Sequence, residues 1–496
     1  MEKWHDYPGA QIASRPDAPA FSDSGGADWS YGDLDRAISA LVDVLAAQGV
    51  QANDRVMILA ENCCAVVAAL FAVSRLGACA VPINARQTGP EVDKIVAHTE
   101  PAAILCASDI STDAAAHAAR LGAHPIEGAF GRMHLATPHN SNPDPVLSDV
   151  AVMLFTTGTT GTPKGVMLTH ANLLFGGRSS AELRGMTTDD VIYGVLPVTH
   201  VFGLASVVTA ATCIGAPVRL DARFTAAHSY AALTSGVTLF SAVPQMHALL
   251  MQYAREQGYD HLPGGTLRYT SSGAAPLDPA WKRKAEAFYG VALQNGYGLT
   301  ETTAGVSATR NPIGLPDISV GKPLPQVEVR LDEDVPGGGD GVGEVLTRGP
   351  HVMKGYYRNP QATQAALQDG WFRTGDLGRY DADGNLHIAG RSKELIIHGG
   401  FNVYPPEVEA ALNDHPQVIQ SAVVGRMVGG DEKVVAFVQI APDDAPDLEE
   451  LRAFAAARLA GYKRPSQIVL AKSLPAAPTG KILKHKLLDH FADRLE

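Results

Sequence analysis

The sequence predicts an α/β protein with a large N-terminal domain of mostly parallel sheets with flanking helices plus a β-rich subdomain, and a small α+β C-terminal domain. The chain has 496 residues, more than a single hydrophobic core usually supports. Apolar strands alternate with helix-length segments in the N-terminal half, which is the pattern of βαβ units. From about Ile318, prolines and glycines separate short strand segments, which is typical of a β-rich unit.

The first elements show the alternation clearly. Residues 33–48 carry an apolar stripe at helical spacing that ends at Gly49, which predicts a helix. Residues 55–60 form a short apolar run typical of a buried strand; a helix then runs to Arg75, and a second strand covers 78–83. Strands joined in this way pair in parallel. Further strands are predicted over residues 191–197, 218–220, 239–243 and 267–271.

The C-terminal third has a different texture. Residues 326–331 and 343–348 predict short strands of the β-rich subdomain. A boundary is predicted near residues 390–393, after which the chain predicts a compact α+β unit. That unit contains strands over 421–425, 434–440 and 467–471, a helix over 448–460, and a final helix.

Composition excludes several classes of function. The net charge of −12 argues against a nucleic-acid or anionic-membrane partner, because both favour basic surfaces. The longest apolar run, residues 63–73, is too short to span a bilayer. Five cysteines without metal-ligand spacing are typical of buried, reduced thiols. The N-terminus does not resemble a signal peptide, so we expect a cytoplasmic protein without a membrane span. The sequence leaves open whether the protein forms a homodimer.

A threonine-rich loop predicts phosphate binding. Residues 156–162 contain five threonines and two glycines, and Lys164 follows closely. Glycine lets backbone N–H groups approach a phosphate, threonine hydroxyls add donors, and lysine adds positive charge. The Walker pattern requires glycine before the lysine and Ser/Thr after it, whereas Pro163 and Gly165 stand there. The loop therefore predicts a nucleotide enzyme outside the P-loop families.

An ordered series of motifs follows this loop. It comprises Pro197-Val-Thr-His200, Ser272-Gly-Ala-Ala-Pro276, Tyr297-Gly-Leu-Thr-Glu301, Thr374-Gly-Asp376, Gly390-Arg391 and Pro478-Thr-Gly-Lys481. From Tyr31 to the final helix the chain resembles the adenylate-forming superfamily of acyl- and aryl-CoA synthetases, firefly luciferases and peptide-synthetase adenylation domains. The resemblance implies an N-terminal domain over 1–389, a hinge at 390–393 and a mobile C-terminal domain over 394–496 that carries the catalytic lysine.

The resemblance also implies a reaction and its substrates. A carboxylic acid would attack ATP in the presence of Mg²⁺, giving an acyl-adenylate and pyrophosphate, and CoA would then displace AMP. The nucleotide ligands implied are Thr156, Thr157, Gly158, Thr159, Thr160 and Lys164 for the phosphates, Gly273, Ala274, Ala275, Asn295, Gly296 and Tyr297 for adenine, and Asp376 and Arg391 for the ribose.

Four residues are implied in catalysis. Thr300 would reach the α-phosphate, and Glu301 would bind Mg²⁺, which takes one or two carboxylates beside phosphate oxygens. His200 would orient the carboxylate. Lys481 would stabilise the negative charge that develops during adenylation.

The CoA-binding residues follow from the same resemblance. Lys393 lies in the hinge, Gly399 and Gly400 would line the pantetheine tunnel, and Arg464 would hold the 3′-phosphate of CoA. One departure from the family is visible. The loop at residues 426–431 offers no aromatic residue to stack on the adenine of CoA.

The predicted acyl pocket favours a medium- or long-chain fatty acid or an aryl acid. Its positions are apolar or small, and none is an arginine or lysine that could pair a second carboxylate, which disfavours diacids. Two alternatives keep adenylation, with a carrier protein as acceptor or with a small or dicarboxylic acid as substrate. A binding module without chemistry is the third. The pocket positions are Val201, Phe202, Gly203, Phe240, Val243, Met246, Ser271, Ala304 and Gly305.

Overall fold

A computed structural model describes residues 2–156, 163–273, 277, 279–399, 401–441, 445–477 and 482–495. The predicted α/β class and the small C-terminal α+β unit are confirmed. The large N-terminal part is built on two sheets with helices between and around them, and a smaller antiparallel sheet follows.

Sheet A contains the strands that lead to the predicted nucleotide site. Its central strands are parallel, and Tyr269–Ser272 lies between Leu239–Ala242 and Leu293–Tyr297. In spatial order the strands are Lys322–Pro323, Ser307–Ala308, Leu293–Tyr297, Tyr269–Ser272, Leu239–Ala242, Ile192–Gly194, Val218–Leu220, Pro19–Asp23 and Asp28–Ser30.

Sheet B carries the strands on both sides of the threonine-rich loop. Val150–Thr156 pairs antiparallel with Lys164–Thr169, so that Thr156 lies opposite Lys164. In spatial order the strands are Gly355–Tyr356, Lys164–Thr169, Val150–Thr156, Cys79–Asn84, Arg55–Ala60, Ala103–Cys106, Gly131–Ala136 and His124–Gly128.

Helices between the two sheets form the main core. The helix Cys64–Arg75 is buried over residues 66–74, and its core cluster contains residues of both sheets. The apolar run at 63–73 is therefore an internal helix, and the described chain contains no helix of the length and apolarity that a membrane crossing needs. The helices are Asp6–Ser14, Tyr31–Ala47, Cys64–Arg75, Gly89–Thr99, Thr112–Arg120, His170–Leu183, Val201–Gly203, Ala210–Ile214, Ala226–Leu233, Pro244–Glu256, Pro279–Tyr289, Pro360–Ala366, Pro405–Asn413, Leu448–Ala456 and Leu487–His490.

The β-rich subdomain and the C-terminal unit follow in sequence. Sheet C of the subdomain contains Glu328–Asp332, Gly343–Arg348, Trp371–Tyr380, Leu367–Gln368 and Leu386–Arg391. The C-terminal unit contains the sheet Val418–Val428, Asp431–Ile440 and Gln467–Ala471, and the hairpin Ile396–His398 with Phe401–Val403.

Predicted and observed boundaries differ where local capping decides them. The helix predicted from residue 33 begins at Tyr31, because Ser30 and Asp33 form a capping box that satisfies the first N–H groups. The helix predicted over 448–460 ends at Ala456, and a short 3₁₀ turn, Gly461–Lys463, follows. The domain boundary at 390–393 stays a prediction.

Buried histidines predict a loss of stability in mild acid. Burial lowers the pKa of His170, His247 and His351 to about 4. Below the ordinary value of 6.5 the unfolded state therefore binds more protons than the folded state. Stability is complete above that pH and falls as the pH approaches 4. For His247 alone the loss at pH 5 is about 2 kcal/mol.

We expect His247→Gln to weaken this pH dependence. His247 is fully buried and its ring bonds to Tyr289 and to the carbonyl of Ser271. Urea unfolding at pH 7 and pH 5 should show a drop in the free energy of unfolding that is about 2 kcal/mol smaller in the variant than in the wild type. The exposed His261→Gln serves as control. An identical drop in wild type and His247→Gln would contradict the assignment.

Candidate active site

Three residues from separate motifs meet at the carboxyl end of sheet A. The hydroxyl of Tyr297 donates to Oδ2 of Asp376 at 2.6 Å, and Nε of Arg391 lies 2.9 Å from Oδ1 of the same carboxylate. Asp376 is buried, whereas Arg391 is partly exposed. Open α/β sheets bind ligands beyond the carboxyl ends of their strands. The two predicted ribose residues and Tyr297 therefore form one cluster at the place where a nucleotide is expected.

Local structure explains how Asp376 and Arg391 come together. They are cross-strand partners in the hairpin of Trp371–Tyr380 and Leu386–Arg391. Gly375 adopts a φ of +73°, which glycine tolerates without strain, and its N–H donates to Glu344. Burial and the charge of Asp376 raise the pKa of Tyr297 well above its ordinary value, so the phenol stays protonated and donates.

Tyr356 contacts both Glu301 and Lys164. The hydroxyl of Tyr356 donates to Oε1 of Glu301 at 2.9 Å, and Nζ of Lys164 lies 4.9 Å from the centre of the Tyr356 ring. Burial and the Glu301 charge raise the pKa of Tyr356, which keeps it a donor. Sequence reasoning missed Tyr356. The strand Gly355–Tyr356, which pairs with the strand after the threonine-rich loop, is too short to stand out as a pattern.

His200 caps the short helix Val201–Gly203. Its Nδ1 accepts from the N–H of Phe202 at 3.3 Å, so this tautomer carries its proton on Nε2. A π-helical segment, Leu204–Thr209, follows directly. Such segments are frequent at functional sites. A Cβ at Gly273 would lie 3.0 Å from the ring of Phe202, so the His200 helix packs against the backbone predicted to cover adenine.

Asn295, which we predicted to contact the adenine edge, hydrogen-bonds to backbone groups of the protein. The amide nitrogen of Asn295 donates to the carbonyl of Ser319 at 2.9 Å, and its Oδ1 accepts from the N–H of Gly296 at 3.1 Å. Asn295 is buried. Thr300 opens the 3₁₀ turn Thr300–Thr302, next to Glu301. The roles of Asn295, Gly296 and Thr300 toward the nucleotide stay predictions.

Several predicted residues lie outside the described part of the chain: Thr157, Gly158, Thr159, Thr160, Ala274, Ala275, Gly400 and Lys481. Close to Lys481 in sequence, Lys484 is anchored by two carboxylates. Its Nζ lies 2.7 Å from Glu409 and 3.4 Å from Glu394, and these charges raise its pKa despite burial. Lys484 thus ties the C-terminal segment to the residue that follows the predicted hinge.

The predicted CoA residues are spread over the C-terminal unit. Lys393 is exposed in the 3₁₀ turn Ser392–Glu394, and the N–H of Gly399 donates to Asp431 at 2.9 Å. Arg464 donates to the carbonyls of Leu459 and Ala456, at 3.0 and 2.9 Å. In the structure Arg464 therefore caps a helix end. Its contact with a CoA phosphate stays a prediction.

The predicted acyl-pocket residues do not share one surface. Phe240 packs with Tyr193, His247 and Tyr289 on one face of sheet A. Ser271 is on the other face, where its hydroxyl bonds that of Ser241 at 2.8 Å. Adjacent strand residues point to opposite faces. Phe240 is therefore part of the core on the far side of the sheet from Ser271.

Gly203 has a role different from the expected one. We expected its small size to leave room for an acyl chain. A Cβ at Gly203 would instead lie 2.3 Å from the carbonyl oxygen of Pro197, so the close approach of two backbone segments requires glycine. At Gly305 the neighbour is a side chain and not the backbone, because a Cβ there would lie 2.8 Å from the side chain of Leu324.

Two family models and many curated proteins match the chain. The family described as AMP-binding enzyme matches residues 9–357, and its C-terminal domain family matches residues 407–481. A feruloyl-CoA synthase from an Amycolatopsis species is 34% identical over 94% of this chain and 95% of its own. An indoleacetate–CoA ligase from Aromatoleum aromaticum is 33% identical, with 92% of each chain covered.

The fold of the chain is also similar to that of solved structures. The crystal structure of ATP-bound MatB from Rhodopseudomonas palustris has a TM-score of 0.84 at 30% identity, with 100% of each chain covered. The chain belongs to the AMP-binding enzyme family, within the adenylate-forming superfamily. It is an AMP-forming enzyme of the acid–CoA ligase class.

Proposed function

We propose that the protein activates a medium- or long-chain fatty acid or an aryl acid with ATP, releases pyrophosphate, and transfers the acyl group from acyl-AMP to CoA. The observation that supports this most strongly is the convergence of Tyr297, Asp376 and Arg391 at the end of sheet A. These residues come from three separate motifs, and each supplies what a nucleotide requires.

The residues present fit ATP. A carboxylate has about four acceptor positions, so Asp376 accepts ribose hydroxyls while Tyr297 and Arg391 hold it. The ring of Tyr297 stacks on adenine, and Arg391 neutralises negative charge near the ribose and phosphate. The threonine-rich loop and Lys164 bind the outer phosphates.

The residues also fit Mg²⁺. Glu301 is a carboxylate that accepts from Tyr356, whose ring lies under Lys164, and Mg²⁺ typically takes one or two carboxylates together with phosphate oxygens. When bound, the ion neutralises phosphate charge. Glu301 holds it, and Thr300 orients the α-phosphate.

His200 and Lys481 act on the reacting groups. His200 orients the substrate carboxylate, whose oxygen attacks the α-phosphorus as pyrophosphate leaves. Lys481 stabilises the charge on the oxygens of that transition state. The C-terminal domain, residues 394–496, then turns about the hinge at 390–393, and the CoA thiolate displaces AMP at the acyl carbonyl. Lys393, Gly399, Gly400 and Arg464 serve this second half-reaction.

A panel of carboxylic acids with Mg-ATP tests the proposal. We expect AMP and pyrophosphate to be released over many turnovers only when CoA is present, because the acyl-adenylate otherwise stays bound. Acid-dependent pyrophosphate exchange without CoA-dependent turnover would assign a carrier protein as acceptor instead. An absence of acid-dependent exchange across the panel would contradict adenylation.

A further inference from the structure

Arg184 is a buried arginine that no motif predicts. It follows the helix His170–Leu183 and is only 6% exposed. Its Nη1 donates to the carbonyl of Ser206 at 2.6 Å, and its guanidinium lies over the ring of Tyr269, 5.7 Å from the centroid. The Tyr269 side chain is also a hydrogen-bond partner of the guanidinium. Within the described residues, Nε of Arg184 has no hydrogen-bond partner and no carboxylate forms an ion pair with Arg184.

The charge of Arg184 is costly where it stands. A guanidinium keeps its proton in proteins, so the positive charge persists even though burial lowers its pKa. An unpaired buried charge destabilises the folded state. The carbonyl of Ser206 and the side chain of Tyr269, through its ring and its hydrogen bond, offset only part of this cost, since neither carries a negative charge. Nε therefore remains as a donor for which the described residues supply no acceptor.

Two elements lead from the proposed reaction centre to Arg184. The strand Tyr269–Ser272 ends at Gly273, beside Phe202, and Tyr269 lies four residues earlier, about 13 Å along the strand. The helical segment after His200 reaches Ser206 six residues later, on the order of 9 Å away. Arg184 contacts the strand at its first residue, Tyr269, and the helical segment at Ser206.

The face of sheet A that carries Tyr269 is polar. Ser271 points to the same face as Tyr269, because residues two apart on a strand share a face. Ser241 and Gln294 are its cross-strand neighbours, and all three are buried. We expected an acyl pocket of apolar or small residues without an arginine or lysine. The structure instead shows a row of buried polar side chains on this face and a cation beyond it.

We propose that Arg184 is a specificity residue that binds an oxygen group, a carboxylate or a phenolic oxygen, at the far end of the acyl substrate. The inference rests on the proposed function and narrows its substrate class. The acid carries this second oxygen roughly 9–13 Å from the reacting carboxyl group. Arg184 pairs with it through Nε and the remaining fork donors, which suits planar recognition of a carboxylate.

Matched acids test the proposal. Decanedioate is compared with decanoate, and 4-hydroxycinnamate with cinnamate, by kcat/KM for CoA-dependent AMP release. The wild type should prefer the oxygenated member of at least one pair by roughly 10- to 100-fold, since a site built around a polar group rejects the analogue that lacks it. The pair that shows the preference tells carboxylate from phenol. A wild type that prefers decanoate and cinnamate overturns the proposal without any variant.

Arg184→Met should abolish the preference while keeping activity on the parent acid, and Arg184→Lys should retain part of it. Arg268→Met is the matched control. Arg268 donates to the carbonyls of Arg184 and Gly185 and pairs with the buried Asp190, so its loss perturbs the same region but leaves the guanidinium of Arg184 in place. Unchanged acid ratios in a folded Arg184→Met contradict the proposal.

A binding measurement separates the two hypotheses. Calorimetric titration of the wild type and Arg184→Met with decanedioate, decanoate, 4-hydroxycinnamate and cinnamate reports on Arg184 even without turnover. An Arg184-dependent preference in binding, with no AMP formed from any acid, would refute the proposed function and support the specificity residue. If AMP is formed but both proteins bind the two members of each pair equally well, the result would support the proposed function and refute Arg184 as a specificity residue.

Discussion

Asp376→Ala is expected to lower kcat/KM for acid-dependent pyrophosphate exchange by roughly 10²–10³-fold. Asp376 accepts from Tyr297 and pairs with Arg391, and in the proposed function it also accepts the ribose hydroxyls. Hydrogen bonds to a charged group contribute about 1.5–3 kcal/mol each, so two of them account for the loss. We expect the change mainly in KM for ATP, because the ribose contacts persist from ground state to transition state.

Asp381→Ala is the matched control for this variant. Asp381 lies on the turn between the two strands that carry Asp376 and Arg391, and it pairs with His387 at 3.0 Å. Its loss should affect the stability of the hairpin but leave the KM for ATP unchanged. Asp376→Asn keeps the size of the side chain and one acceptor oxygen, so it should lie between wild type and alanine. If Asp376→Ala is folded and keeps the wild-type KM for ATP, the ribose assignment is wrong.

Lys481→Ala is expected to lower adenylation by roughly 10²–10³-fold and to spare thioester formation from supplied acyl-adenylate. The attack on the α-phosphate concentrates negative charge on its oxygens, and a positioned ammonium stabilises that charge. The second half-reaction displaces AMP from a carbonyl and does not need this lysine. Pyrophosphate exchange measures the first step, and release of AMP from synthetic acyl-adenylate with CoA measures the second.

Lys486→Ala is the control for this variant, because Lys486 is an exposed lysine in the same C-terminal segment. Lys484 is unsuitable, since it is held by Glu394 and Glu409 and its removal would leave two carboxylates without their cation. Equal losses in both half-reactions for Lys481→Ala would refute a role confined to adenylation.

The class of fold followed from the sequence because its signals are local. Apolar runs such as residues 55–60 and 218–220 match the observed strands Arg55–Ala60 and Val218–Leu220. The capping box at Ser30 moved a helix start by two residues, which an apolar stripe cannot detect. Local patterns thus placed the elements, and hydrogen bonds at their ends set the boundaries.

The members of the candidate site were also identified from sequence. Phosphate, ribose and Mg²⁺ each require particular residue types at close spacing, so Lys164, Glu301, Asp376 and Arg391 stood out within short motifs. Their partners did not. Tyr297 and Asp376 are 79 residues apart, and Tyr356 and Glu301 are 55 apart. Contacts over such separations depend on how the sheets are ordered.

Local sequence and tertiary packing contribute different information about the acyl side of the site. The sequence predicted an adenylate-forming site, because the residues that such a site requires lie within short contiguous motifs. Which face of a strand contacts a ligand depends on the layers that pack against the sheet. Phe240 and Ser271, both predicted for the acyl pocket, lie on opposite faces of sheet A. Arg184 belongs to no motif. Packing of one helix end against Ser206 and Tyr269 buried its charge, since burial is a property of the assembled layers and not of the local sequence.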